Sequence, residues 1–292
     1  MTVTLTTLIE RASETARMHR LQRPEEEVRR RAEACAVDVV PGRLRAALSH
    51  LPISVIAEVK GASPLAGTLK EGFDPAMLAR AYADGGADAV SVLTEETQFA
   101  GSLDHLMVVG DAVELPTLRK DFIVEPYQIW EAAVVGAAAV LLIADALDPG
   151  RLAELVAVAH SVHLDALVEV HSVNSIPRAE RAGSGLIGVN NRDLTTMQVD
   201  PEHSLCVADR LPRSWVRVSE SGIQEPEQII QLAEAGYNAV LIGTALMRAE
   251  QPGASLKRLL SRVRESTIVR ESRAHSLSRS LVANDVEGRT DR

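Results

Sequence analysis

Cysteine is scarce: Cys35 and Cys206 are the only two in 292 residues, far apart and without metal-ligand spacing. That excludes a disulfide framework and a cysteine-built zinc site, and a cytoplasmic location is expected. Aromatic residues make up 3% of the chain and the net charge is -9. With no basic stripe and few rings for stacking, nucleic-acid binding is not expected. No apolar run approaches the roughly 18–20 residues that span a bilayer. The opening stretch MTVTLTTLIERASETARMHR carries Glu10 and Glu14 and has no secretory apolar core, so no membrane role is expected either. Neither GxGxxG nor GxxxxGK[ST] follows an early apolar strand, which removes the usual mark of a doubly wound nucleotide-binding sheet. Small anions remain eligible ligands, because loop amides and a few placed cations bind them locally whatever the total charge.

What the chain has is a rhythm. Residues 1–48 read as helices, broken at Pro41-Gly42, and are expected to pack as an extension. Eight apolar stretches follow: 53–60, 88–94, 115–120, 138–144, 165–170, 186–191, 215–221 and 238–244. Most are separated by segments of helical composition. Alternation of this kind implies parallel strands with crossover helices, and eight units predict an α/β (β/α)8 TIM barrel over residues 49–266. Residues 267–292 are polar and mixed in charge, and are expected to be disordered or loosely docked.

Charged residues recur where these strands end, which is where a barrel gathers its working loops. Glu58 and Lys60 end the first strand, two apart and so on one face. Glu95 follows the second, Lys120 ends the third, Glu169 the fifth, Asn190 the sixth, and Glu220 with Ser221 the seventh. An ion-pair plug explains any one of them. Two lysines with three glutamates on one rim exceed what packing needs, because each buried charge costs several kcal/mol before pairing. The last two strands run into SESGI and LIGTAL, whose small residues let backbone amides approach an anion. Gly222, Gly243 and Thr244 are candidates there; a plain turn and close packing are the alternative readings. His160 and His163 read as a solvated helix face, with no metal site expected. His171 reads as a loop residue that could line the mouth.

The motifs IAEVKGASP, LTEETQFAGS, LRKDFIVEPYQI, LVEVHS, IGVNNRDL, VSESGI and LIGTALM, in that order, resemble the indole-3-glycerol phosphate synthase family over residues 5–262. The resemblance implies closure of an indole ring from 1-(2-carboxyphenylamino)-1-deoxyribulose 5-phosphate, with loss of CO2 and water and no cofactor. The partner it implies is therefore a small sugar phosphate with an anthranilate moiety; a monomer is expected. It implies Lys120 as general acid, Glu169 as its partner in proton transfer, and Lys60 as a second lysine paired with Glu58. Asn190 and Glu220 would position the sugar and the lysines. Ser63, Ser221, Gly222, Ile242, Gly243 and Thr244 fall in the phosphate region, and Phe99, Phe122, Leu141 and Leu194 in the wall around the ring, with Arg192 in the same blocks. Arg119 is expected to face the helical shell.

Gly61, Leu65 and Asp145 depart from the family pattern, and they leave rate and specificity open. Two other readings stand beside the synthase. One is a class I aldolase with a Schiff base on Lys120 or Lys60. The other is a divergent paralogue, in specialised indole metabolism or with a binding role only.

Overall fold

The computed structural model describes residues 4–49, 52–63, 67–68, 72–194 and 196–265. Eight parallel strands close into a barrel: β1 (Ser54–Val59), β2 (Ala89–Leu93), β3 (Thr117–Lys120), β4 (Ala139–Ile143), β5 (Asp165–Val170), β6 (Leu186–Asn190), β7 (Val216–Glu220) and β8 (Ala239–Ile242). Each pairs with the next, and β8 returns to β1 with Ser54 opposite Ala239. A short antiparallel ribbon, Ala62–Ser63 with Gly67–Thr68, lies beyond β1. Pro116 sits one residue before β3, where no ladder hydrogen bond is lost.

The helices start where the sequence supplies caps. In α4 (Pro75–Gly85) the Asp74 side chain accepts from the Met77 N–H, and Pro75 opens the first turn. The same logic starts α7 (Pro149–Ser161) from Asp148. In α6 (Pro126–Val134) and α10 (Pro226–Glu234), Gln128 and Gln228 reach back to accept from the Glu125 and Glu225 N–H groups. One helix escapes the sequence pattern: α5 (Leu103–Ala112), between β2 and β3. Gly110 and His105 blur its composition, yet Ser102 caps it by accepting from the His105 N–H. A shorter α8 (Ile176–Ala182) follows β5, and α9 (His203–Val207) follows β6. A four-residue α11 (Thr244–Met247) follows β8, and residues 252–265 are helical.

Alternation along the strands splits the core in two. Ile56, Leu118, Leu141, Leu167, Leu186, Val218 and Leu241 fill the barrel interior. Val55, Val90, Val140, Val168, Ile187 and Val240 face outward, against Leu78, Leu106, Ile129, Leu155 and Ile229 of the helices. Both strand faces are buried, so the strands read as near-continuous apolar runs rather than alternating ones.

Three helices precede β1: α1 (Leu5–Gln22), α2 (Glu25–Ala36) and α3 (Arg43–Ala47). Leu44 joins the inner core near the strand starts, where the Arg45 N–H donates to Asp165 at 3.0 Å. Leu8 and Ala12 join the same core as Phe122. Behind β3, Arg119 points outward into the helical layer, as expected. Its guanidinium binds Asp121 at 3.0 Å and the Gln128 carbonyl at 2.5 Å. Glu131, beside it, accepts His19 of α1 at 2.9 Å. This polar cluster fastens the leading helix to the strand that carries Lys120. The polar tail expected from residue 267 onward lies outside the described residues.

Candidate active site

Strand alternation decides which side chains reach the barrel mouth. On β3, Leu118 and Lys120 point inward while Arg119 points out. Lys120 Nζ then lies 2.7 Å from Glu169 of β5 and 3.0 Å from Glu220 of β7. Glu58 near the end of β1 and Lys60 just past it come together, with their charges 2.5 Å apart. All three glutamates are at most 5% exposed. Five charged groups, from the ends of four strands and the position just past β1, therefore meet at one end of the barrel.

Lys120 and Glu169 hold their charges through each other and their neighbours. Burial alone would lower the Lys120 pKa, but Glu169, Glu220 and Glu58 outweigh it and push it far above the ordinary lysine value. Burial pulls Glu169 up, and Lys120 with His171 pull it well below the carboxylate range. Glu220 is pushed up to about 7, chiefly by burial and by the Glu169 charge, with Lys120 opposing. Lys120 and Glu169 are thus an ionised pair at neutral pH, and Glu220 is the member poised to titrate there.

Two glycines make room for these side chains. A Cβ on Gly243, at the end of β8, would collide with the Glu58 carboxylate and lie 2.8 Å from Lys60 Nζ. A Cβ on Gly188, in β6, would collide with the Glu220 carboxylate. The Gly243 position entered the sequence reading as a phosphate contact; in the fold it also clears the Glu58–Lys60 pair. Gly188 was not singled out at all. Its only signal was a glycine inside an otherwise apolar strand, the pattern left where something approaches closely.

The remaining candidates fall into three groups. Phe122 and Leu141 lie in the inner core, with Phe99 and Leu194 packed against it, so an apolar wall stands beside the charges. Ser221 and Gly222 both have positive φ, at 68° and 81°, and make the left-handed turn that follows β7. Thr244 follows Gly243 half-buried. The Ile242 side chain belongs to the outer layer between strands and helices, so a ligand contact there would be to its main chain. Asn190 accepts from the Arg192 N–H at 3.0 Å, and the half-buried Arg192 guanidinium feels the Glu58 charge. Ser63 lies in the ribbon after β1, and its side chain, like Leu65, is outside the described residues. Glu95 turns from the rim and accepts the N–H groups of Thr97, Gln98 and Phe99, shaping the loop that carries Phe99.

Residues 5–259 match the family model described as indole-3-glycerol phosphate synthase. A protein of that name from Salinibacter ruber is 50% identical over 220 residues, 75% of this chain and 82% of its own. One from Carboxydothermus hydrogenoformans is 47% identical over 240 residues, 80% of this chain and 91% of its own. The chain belongs to the indole-3-glycerol phosphate synthase family. Solved structures add the fold alone: thiamine phosphate pyrophosphorylase from Pyrococcus furiosus matches with a TM-score of 0.55 at 16% identity, over 73% of this chain and 96% of its own.

Within this synthase-family barrel, the residue the sequence reading most undervalued is His171. It lies one position past β5, and its Nε2 is 3.1 Å from Glu169 Oε1. Its Nδ1 is 3.3 Å from Asp145, the residue noted as unusual. The spacing was readable: Glu169 and His171 stand two apart, as Glu58 and Lys60 do. Among the described residues no cluster of metal-type ligands is present. Among them, too, no helix is long and apolar enough to cross a membrane.

Proposed function

We propose that the chain converts 1-(2-carboxyphenylamino)-1-deoxyribulose 5-phosphate into indole-3-glycerol phosphate, CO2 and water, with Lys120 as general acid and Glu169 as its proton-transfer partner. The observation that carries this reading is the placement of Lys120 Nζ between Glu169 and Glu220 at the barrel mouth. Family membership supplies the reaction, and the inward-facing groups supply its needs.

The aromatic carbon bearing the carboxylate is a weak nucleophile, so the ketone must be made more electrophilic. Lys120 hydrogen-bonds the ketone oxygen and protonates it as the carbon–carbon bond forms. Loss of CO2 returns its bonding electron pair to the ring and restores aromaticity. A second proton from Lys120 lets the new hydroxyl leave as water. Glu169 takes the proton that the adjacent sugar carbon gives up, and returns it to Lys120 across 2.7 Å. One proton from solvent balances the carboxylate consumed. The steps need no oxidant, reductant or cofactor.

Binding fixes the geometry. The Ser221–Gly222 turn with the Gly243–Thr244 main chain suits the phosphate. The wall of Phe99, Phe122, Leu141 and Leu194 suits the aromatic ring. Anchoring both ends holds the ring carbon against the ketone, which converts binding energy into orientation. Lys60 and Arg192 meet the substrate carboxylate, with Glu58 and Asn190 holding them.

A Schiff base on Lys120 is disfavoured by the same electrostatics. Schiff-base formation needs a neutral amine, and Lys120 is surrounded by carboxylates that keep its proton on. The test is formation of the fluorescent indole product by Lys120→Ala and Glu169→Gln variants. Each is expected to lower kcat by at least ~10²-fold. Near-normal turnover in either removes that residue from its role.

A further inference from the structure

Strands β4 and β5 run side by side with Ile143 opposite Glu169. Two residues further along each chain, Asp145 and His171 meet in the same way. Asp145 sits on a single turn of 3-10 helix, Ala144–Ala146. Its Oδ2 accepts the His171 backbone N–H at 3.2 Å and lies 3.3 Å from the ring Nδ1. Its other oxygen accepts the Ser175 hydroxyl. The far side of the ring, Nε2, lies 3.1 Å from Glu169 Oε1, an ion-pair contact rather than an aligned hydrogen bond. Glu169 Oε2 faces the other way, onto Lys120. The result is a line of groups, Ser175–Asp145–His171–Glu169–Lys120, with Glu220 on the far side of the lysine.

We propose that His171, clamped by Asp145, is a positioning residue for Glu169: it occupies one carboxylate oxygen so that the other stays on Lys120. A free carboxylate at the end of a strand would rotate about its terminal bond. One held by a cation on each side is fixed in the geometry that proton return requires. Asp145 supplies the second anchor, gripping both the ring and the backbone of His171. This inference rests on the role given to Glu169 above.

The groups bearing on the imidazole can be named from each neighbouring element. Asp145 faces it from the turn after β4, and Glu169 from its own strand. Lys120 and Glu220 lie beyond Glu169. Arg178 of α8 spends one N–H on the Ala144 carbonyl at 3.3 Å. Burial works against a charged ring, but contacts with Asp145 and Glu169 prevail and raise His171 to about 10. The imidazolium therefore persists through the neutral range, and Asp145 is one of the two carboxylates that keep it so.

The experiment compares Asp145→Asn, Asp145→Glu and His171→Gln with the parent chain. It uses kcat and KM profiles from about pH 6 to 9, a window that runs from the free imidazole value toward the raised one. His171→Gln is expected to lower kcat roughly 10-fold, as loss of an orienting outer group does, with KM within about two-fold. Asp145→Asn is expected to acquire a new alkaline decline in kcat inside that window, absent from the parent. Asp145→Glu is expected to restore much of the flat profile. An NMR titration of the His171 ring nitrogens in the unaltered protein reads the same point without activity: the ring should remain doubly protonated past pH 9. A neutral ring at pH 7, or parent-like profiles in both Asp145→Asn and His171→Gln, overturns the proposal. Glu169→Gln separates the two levels. If it is inactive while the Asp145 and His171 variants behave as the parent, only this inference falls; if it is fully active, the role of Glu169 falls with it.

Discussion

Gly188→Ala is the substitution that best separates site geometry from fold stability. The added methyl would overlap the Glu220 carboxylate, with the Glu220 Cδ at 3.4 Å and a Leu167 methyl at 3.5 Å. The severe contact is therefore with the tip of one flexible side chain and not with backbone. Glu220 can swing aside at little cost to the barrel, so destabilisation should sit at the low end of the roughly 1–3 kcal/mol typical of overpacking. For a domain of this size that is a melting-temperature loss of only about 2–4 °C per kcal/mol. The site has no such freedom. Glu220 lies 3.0 Å from Lys120, and moving it aside breaks that contact and releases the ammonium toward Glu169. A displacement of about 1 Å at a reacting group costs on the order of 10²-fold in rate. Indole fluorescence would give kcat, and thermal melting would give stability. A double-mutant cycle with Glu220→Ala completes the design. If Gly188→Ala acts through Glu220, it should cost far less in the Glu220→Ala background than in the parent. Parent-level kcat, or an equal loss in both backgrounds, would refute the reasoning.

Three other outcomes are expected. Gly222→Ala should raise KM, since Gly222 has φ +81° and its Cβ would lie 2.7 Å from Val199; an unchanged KM would take Gly222 out of phosphate binding. Borohydride added with substrate should leave no covalent adduct on Lys120 or Lys60, and mass spectrometry showing one would favour the aldolase. The α1 latch should depend on pH. The His19 pKa is raised by its hydrogen bond to Glu131, so its contribution is complete below the unfolded value of 6.5 and fades as pH climbs through the folded value. Glu131 is buried, which raises its pKa, but His19 and Arg119 outweigh this and lower it. Its contribution is present above 4.5 and fades as pH falls through the folded value. The melting difference between parent and His19→Ala should thus shrink from about pH 6.5 upward, and a flat difference would show that His19 packs without charge.

Much of this was legible in the sequence because the barrel writes its geometry into local patterns. All eight strands lie within the apolar stretches, since burial on both faces forces continuous Val, Leu and Ile. The inward lysines and glutamates were readable from alternation at strand ends. What escaped needed three-dimensional neighbours. The α5 segment LDHLMVVGDA gives no clean apolar stripe, and its cap at Ser102 was the only cue. Gly188 is meaningful only once Glu220 is known to pass over it. Strand parity turns the Ile242 side chain into the outer layer, which the run LIGTAL does not show by itself. Asp145 and His171 were each noticed, but 26 residues separate them. Only the β4–β5 register brings them together.

The measurement that bears most directly on the account is single-turnover conversion of 1-(2-carboxyphenylamino)-1-deoxyribulose 5-phosphate by the parent chain and by Lys120→Met. The parent should release CO2 and form the indole in equal amounts. Lys120→Met should still bind the substrate while forming product at least ~10²-fold more slowly. Product formation by Lys120→Met within about ten-fold of the parent would contradict a general acid at the end of β3.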